Sequence, residues 1–296
     1  MQVFREHNEQ SRKLIGKDFV NKTVQRYETT TRYLEEFIKK EYQLSDIALN
    51  NLEANFISKF DAFLKIEKGC AQNSAITRLK NLKKIIRIAL ENDWIKKDPF
   101  AYYRFKPEKT DPEFLTMDEI KIILAKEFTI KRVEQVRDVF VFCIFTGLAF
   151  SDVKDLSPEH LVKDNKGELW IRKNRQKTKI MCNIPVLPVA ASILDKYKDV
   201  AECTGKLLPV LCNQRMNSYL KEIADVCGIH KNLCTHSARH SYATSICLAN
   251  GVSMENVAKM LGHADTNVTK HYARILDQNI LKDMQKVNNC LSELTI

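Results

Sequence analysis

The stretch THSARHSYAT at residues 235–244 places His236 and Arg239 three positions apart, on one face of a predicted helix. An imidazole beside a guanidinium suits an anion, because the planar guanidinium donates paired hydrogen bonds and keeps its charge. His236 and His240, four positions apart, also allow a metal site. A zinc protease motif of that spacing requires Glu directly after the first His, where this chain has Ser237. Of these two sites the stretch favours the anion site, but taken by itself it is more typical of a surface helix with ordinary polar residues.

Two other segments supply groups that fit the same anion. LGHADTNVTKHYARI at 261–275 contributes His263 and, nine residues later, Tyr272. The segment 168–187 has β-formers at both ends and a polar centre, which predicts a hairpin, and Lys177 lies in its centre. Cations from separated segments can hold a phosphodiester while a tyrosine hydroxyl attacks it. This combination is much more specific than any one of its motifs.

With these motifs the sequence resembles the tyrosine recombinase (phage integrase) family, and in particular the integrases of conjugative transposons. TGLAFSDVKDL at 146–156 and QKTK at 176–179 complete the match. The resemblance implies a mainly α fold with a small antiparallel β-sheet and two domains. We expect a helical, SAM-like core-type DNA-binding domain at 1–106, a linker at 107–112 and the catalytic domain at 113–296.

The resemblance also implies a role for each site residue. Tyr272 would attack the scissile phosphate and hold a 3′-phosphotyrosyl linkage, and Lys177 would protonate the departing 5′-oxygen. Asp152 matches an acidic position that orients other groups. Three side chains would stabilise the charge on the pentacoordinate phosphate: His236, Arg239 and His263. Since the adduct keeps the bond energy, neither ATP nor a metal is required and no cofactor is expected.

The chain departs from the family pattern at Ala149, where the first box usually has a second phosphate-binding arginine. Loss of one preorganised donor typically costs roughly 3–4 kcal/mol of transition-state stabilisation. If the hairpin strand runs through Arg175 and Lys177, both side chains face the same way, so Arg175 is our candidate substitute and Arg172 the second choice. The alternative is a catalytically weakened DNA-binding or regulatory protein of the same fold.

Composition agrees with a nucleic-acid partner. The 296 residues carry a net charge of +10 at a pI near 9.1, with +6 on residues 1–112 and +4 on residues 113–296. Nine cysteines without a C-x-x-C motif indicate free thiols in a reducing compartment. No apolar stretch is long enough to cross a bilayer, and the N-terminus has no secretion signal, so we expect a cytoplasmic protein. The resemblance implies a bacterial protein associated with the nucleoid.

A predicted helix at 74–92 carries cations at positions i, i+3, i+4 and i+7 on a face separate from its apolar stripe: Lys80, Lys83, Lys84 and Arg87. No acidic residue interrupts these four cations within the helix face. The stripe therefore suits a DNA phosphate backbone, while an ordinary solvated face is the alternative.

Apolar periodicity predicts further helices at 22–40, 52–68, 133–146, 188–200 and 213–227. Thr116 and Glu119 have capping-box spacing at the start of another helix. Gly147 is expected to end the apolar helix before it, and Ser151 to cap the short helix that follows.

The resemblance implies partners as well. The partners expected are double-stranded DNA and an accessory host DNA-bending protein. Protomers that can be monomeric in solution would assemble as a homotetramer on two synapsed DNA sites. The reaction expected is integration or excision of a mobile element. Related integrases often carry an N-terminal arm-binding domain, for which residues 1–20 are too short.

Overall fold

The architecture is known from a computed structural model that describes residues 1–110, 112–265, 269, 284, 285, 287, 288 and 291. The chain separates into an N-terminal unit, Met1–Thr110, and a C-terminal unit, Asp111–Ile296. Both are mainly helical, and the C-terminal unit adds a three-stranded antiparallel sheet, which confirms the predicted fold class. No helix in the described part of the chain has the length and apolar character needed to span a membrane.

The N-terminal unit consists of four helices: α1 (Gln2–Lys13), α2 (Asn21–Tyr42), α3 (Phe56–Ile66) and α4 (Gln72–Glu91). Its core is aromatic, with the Phe37 ring 5.2 Å from the rings of both Phe56 and Phe60. Helix α1 was not predicted, because it is mostly polar and has few apolar residues. Its Phe4 is nonetheless only 2% exposed and anchors α1 in that core.

The C-terminal unit contains eight α-helices and three strands in its described residues: α5 (Met117–Ala125), α6 (Lys131–Thr146), α7 (Phe150–Lys154), β1 (Leu161–Lys163), β2 (Leu169–Asn174), β3 (Met181–Pro185), α8 (Pro188–Lys196), α9 (Lys198–Thr204), α10 (Asn213–Val226), α11 (Thr235–Ser241) and α12 (Met254–Leu261). The predicted hairpin is β2–β3, and β1 extends it in the order β1-β2-β3. Ile171 pairs with Ile184, and both are fully buried.

Helix α6 forms the centre of this unit and packs against α8, α10 and α11. It ends at Gly147, whose left-handed backbone (φ +67°) closes the last turn as predicted. The capping box of Thr116 and Glu119 at the start of α5 is also confirmed. Ser151 is not the cap of α7: the helix begins one residue before it, and Ala149 holds the N-cap position.

One other local prediction needs correction. The single helix expected at 188–200 is two helices, α8 and α9, which meet at Tyr197. The Tyr197 hydroxyl donates to Asp138 Oδ2 of α6 at 2.9 Å, so a tertiary contact holds the junction. Helix α11 continues directly into a π-helix, Tyr242–Cys247, a wider winding that often occurs near functional sites.

Candidate active site

Arg239 on α11 is the buried cation of the site, with 1% of the residue exposed. Its NH1 donates to the Gly147 carbonyl at 2.7 Å and its NH2 to the Leu261 carbonyl at 2.5 Å. These carbonyls lie at the C-terminal ends of α6 and α12, where the helix dipoles are negative. Because a buried charge is costly unless it is hydrogen-bonded, the two helix ends determine where this guanidinium can lie.

His263 follows α12 after the left-handed turn at Gly262. Its Nε2 lies 3.1 Å from Arg239 NH2, and its Nδ1 lies 2.9 Å from Thr269 Oγ1. Burial lowers the pKa of His263 to about 4, with further contributions from the charges of Arg239 and Arg175. The ring is therefore neutral near pH 7.

His236 and His240 contact each other edge to face, with ring centroids 4.4 Å apart. Burial lowers the pKa of His236 below its ordinary value, and the charges of Arg239, Arg175 and Lys177 lower it further. His236 therefore lies within electrostatic reach of all three cations. Among the residues that the structure describes, no three His, Cys, Asp or Glu side chains are grouped to hold a metal ion.

Lys177 and Arg175 lie in the turn between β2 and β3, because β2 ends at Asn174. The alternation of side chains along a strand therefore does not decide their directions, and that part of our reasoning was wrong. The turn is held by two long-range hydrogen bonds. Gln176 N donates to Asp152 Oδ1 at 2.9 Å, and Thr178 Oγ1 donates to the Gly262 carbonyl at 3.1 Å. Lys177 itself is exposed between these anchors.

Arg175 turns from this hairpin toward the other site residues. Its Nε lies 3.7 Å from Asp152 Oδ2, and its Cδ and Cγ lie about 3 Å from where a side chain on Gly262 would begin. Asp152 belongs to α7, the helix that Ala149 caps. Arg175 Nε and Asp152 Oδ2 are both buried, and neither has a hydrogen-bond partner among the described residues.

Arg172, the second choice to replace the missing arginine, lies elsewhere on the sheet. It pairs with Asn183 in the β2–β3 ladder. Its side chain lines a cavity of about 720 Å³, together with Trp170, Tyr242 and Met260. The charge of Arg172 is not among the causes that lower the pKa values of the site histidines, whereas the charge of Arg175 is.

The remaining predicted catalytic residue, Tyr272, lies outside the described residues. The structure therefore brings together Arg239 of α11, Arg175 of the β2–β3 turn and the His263 ring after α12. The position of Tyr272 relative to them stays a prediction.

The cationic stripe on α4 is less open than its sequence indicates. Lys83 Nζ donates to the Phe100 carbonyl at 3.0 Å and lies 3.5 Å from Asp98 Oδ2. Lys84 Nζ lies 3.1 Å from the Tyr27 hydroxyl.

The two ends of the stripe also contact their own unit. Lys80 Nζ lies over the Phe105 ring at 5.7 Å, and Arg87 pairs with Glu91 at 3.5 Å. Acidic partners thus reach the stripe from the following turn and from within α4 itself, contrary to our reading of the sequence. Lys80 and Arg87 are exposed, while Lys83 and Lys84 are half-buried.

Sequence reasoning missed two kinds of contributor. The Gly147 and Leu261 carbonyls bind Arg239, and a backbone acceptor has no side-chain signature. Thr269 is fully buried beside His263, and its only sequence signal is its place between the two motif residues of LGHADTNVTKHY.

Family models match nearly all of the chain. The phage integrase SAM-like domain matches residues 1–107, and the phage integrase family model matches residues 113–279. Among curated proteins, the chain is similar to tyrosine recombinase XerD of Listeria monocytogenes serotype 4b, at 27% identity over 89% of this chain and 91% of the relative. XerD of Lacticaseibacillus casei is 27% identical over 77% of this chain and 81% of the relative.

Solved structures share the fold at low identity. A lambda integrase dimer bound to a COC′ core site has a TM-score of 0.73 at 18% identity, covering 93% of this chain and 95% of that one. The Tn1549 transposon integrase in complex with transposon right-end DNA has a TM-score of 0.66 at 16% identity, covering 96% and 98%. The phage integrase family model alone spans more than half of the chain. The chain therefore belongs to the phage integrase family, also called the tyrosine recombinases, which are enzymes of site-specific recombination.

Proposed function

We propose that this chain cuts and rejoins DNA strands at specific sites through a 3′-phosphotyrosyl intermediate on Tyr272. The phenolic oxygen forms a bond to phosphorus, the bond from phosphorus to the 5′-oxygen breaks, and Lys177 supplies the proton of the departing 5′-hydroxyl. His236 is neutral near pH 7 because its pKa is lowered, so it is available to accept the phenolic proton.

The observation that carries this proposal is the buried Arg239, held by two helix ends beside His263. A guanidinium fixed before substrate arrives stabilises charge that develops on the phosphate without reorganisation at the moment of reaction. Three further groups lie near this guanidinium: Arg175, His236 and His263. The charges of Arg239 and Arg175 lower the pKa values of both histidines, which supports their closeness.

Arg175 is our proposed replacement for the arginine absent at Ala149. Three features support it: its contact with Asp152 on α7, its closeness to Gly262, and its charge effect on both site histidines. Asp152 is then an orienting group, because its carboxylate faces both the backbone amide of Gln176 and the side chain of Arg175.

We propose double-stranded DNA as the partner and a homotetramer on two synapsed sites as the active assembly. Solved relatives support both, since lambda integrase is described as a dimer on a core site and as a tetramer on a Holliday junction. A host DNA-bending protein, a cytoplasmic location and a mobile-element role belong to the same proposal. Finding mobile-element ends beside the coding region would support the last, and finding only chromosomal genes would count against it.

The test is a duplex nicked near the cleavage position, from which the released fragment diffuses away and leaves any protein–DNA adduct trapped. Wild-type protein should form the adduct in EDTA without ATP, and Tyr272→Phe should form none. Arg175→Ala should nearly abolish the adduct while DNA binding persists, whereas Arg172→Ala, a matched loss of one hairpin arginine, should retain it. DNA binding by wild-type protein with no adduct would establish the alternative, a non-catalytic DNA-binding protein.

A further inference from the structure

Thr269 is a buried polar residue to which the sequence motifs assign no role. Its side chain is 0% exposed, and its hydroxyl lies 2.9 Å from His263 Nδ1. It precedes Tyr272 by three positions in the sequence. A threonine buried at this place therefore contacts one site residue directly and belongs to the segment that carries the proposed nucleophile.

The protonation of His263 follows from two of its described contacts, with Arg239 and with Thr269. Arginine has only donors, so the ring nitrogen that faces Arg239, Nε2, must accept a hydrogen bond. A neutral imidazole carries a single proton, which therefore resides on Nδ1. The partner of Nδ1 is Thr269 Oγ1, which accepts that proton's hydrogen bond.

We propose that Thr269 is a positioning residue that holds His263 in the Nδ1–H tautomer, so that Nε2 stays an acceptor for Arg239. Among the described residues, Arg239 then faces the Gly147 carbonyl, the Leu261 carbonyl and the His263 ring as fixed acceptors. The consequence for cleavage rests on the proposed function, in which Arg239 holds the scissile phosphate.

Loss of the Thr269 hydroxyl is unfavourable whichever ring nitrogen of His263 carries the proton. If Nδ1 keeps its proton, a buried donor loses the acceptor that Thr269 provides. If the proton moves to Nε2, an N–H points at a guanidinium that can only donate, and the contact with Arg239 is lost. Both results loosen the orientation of Arg239.

Long-range ¹H–¹⁵N correlation spectra of the full chain without DNA measure the tautomer of His263 directly. The His263 signals are identified by their absence in His263→Gln. We expect the Nδ1–H form in wild type and in Thr269→Ser, which keeps the hydroxyl, and a loss of that preference in Thr269→Val. An Nε2–H form in wild type overturns the proposal even if Thr269→Val does not fold, as does an unchanged tautomer in folded Thr269→Val.

Adduct formation gives the second measurement. Thr269→Val should slow it about tenfold, the usual effect of a buried donor left without its partner, and Thr269→Ser should restore it. Thr30→Val is the matched control, because Thr30 is equally buried but lies in the N-terminal unit. If wild-type protein forms no adduct, the proposed function fails, while the DNA-free spectra still decide what Thr269 does to His263.

Discussion

Gly147 offers a sharp test of how the site is built, because its position forbids a side chain for two separate reasons. Its backbone is left-handed, at φ +67°, and a Cβ there would lie 2.3 Å from Tyr242 Cδ1 and 2.9 Å from Leu261 Cδ2. Gly205 ends α9 with nearly the same backbone, at φ +68°, but beyond its chain neighbours no atom of the described residues lies within 4 Å of its Cβ position. Gly205→Ala is therefore a matched control for Gly147→Ala.

The expected magnitudes follow from these two reasons. Alanine in the left-handed region costs about 1–2 kcal/mol, and both variants share this cost. Gly147→Ala adds overpacking against Tyr242 and Leu261, which typically costs about 1–3 kcal/mol. We therefore expect a loss of unfolding free energy of about 1–2 kcal/mol for Gly205→Ala and about 2–5 kcal/mol for Gly147→Ala.

Urea unfolding followed by tryptophan fluorescence measures both values. The chain has two tryptophans, and a Trp94→Phe background leaves Trp170 as a reporter within the C-terminal unit. Because the Gly147 carbonyl binds Arg239, Gly147→Ala should also reduce adduct formation, whereas Gly205→Ala should not. Equal destabilisation by the two substitutions would refute the close packing inferred around Gly147.

Three other outcomes can be checked. Asp152→Ala removes the acceptor of the Gln176 amide and should lower the free energy of unfolding by about 1–3 kcal/mol in urea, while Asp152→Asn, which can still accept, should lose less. The pKa of His263 falls from 6.5 to about 4 on folding, so the unfolded chain binds this proton at a higher pH than the folded chain does. Its contribution to stability is therefore full above pH 6.5 and lost as the pH falls toward 4, and His263→Gln should flatten urea midpoints between pH 7 and pH 5. If the α4 stripe contacts DNA phosphates, Lys80→Gln and Arg87→Gln should each reduce the slope of log affinity against log salt by about 0.9; unchanged slopes would exclude these contacts.

Local sequence signals predicted the local structure well. The capping box of Thr116 and Glu119, the helix stop at Gly147 and the β2–β3 hairpin all formed where expected. Each depends on interactions between residues a few positions apart, so neighbouring residues suffice to specify it. The same reasoning failed at Ser151, one residue inside the helix that it was expected to cap.

The family also follows from sequence alone, since its motifs recur in order along the chain. The directions of the site's side chains do not. Arg175 lies beyond the end of its strand, and contacts with Asp152 and Gly262 orient it. Lys83 of the α4 stripe is drawn to Asp98, outside its own helix.

What only the tertiary structure decided is how Arg239 is held. Two of its acceptors are carbonyls 92 and 22 residues away in the chain, at the ends of α6 and α12. Every residue has a carbonyl, so no pattern of side chains reveals which ones will face a guanidinium. Packing of the helices selects them, because only the folded unit buries this charge and must satisfy its donors.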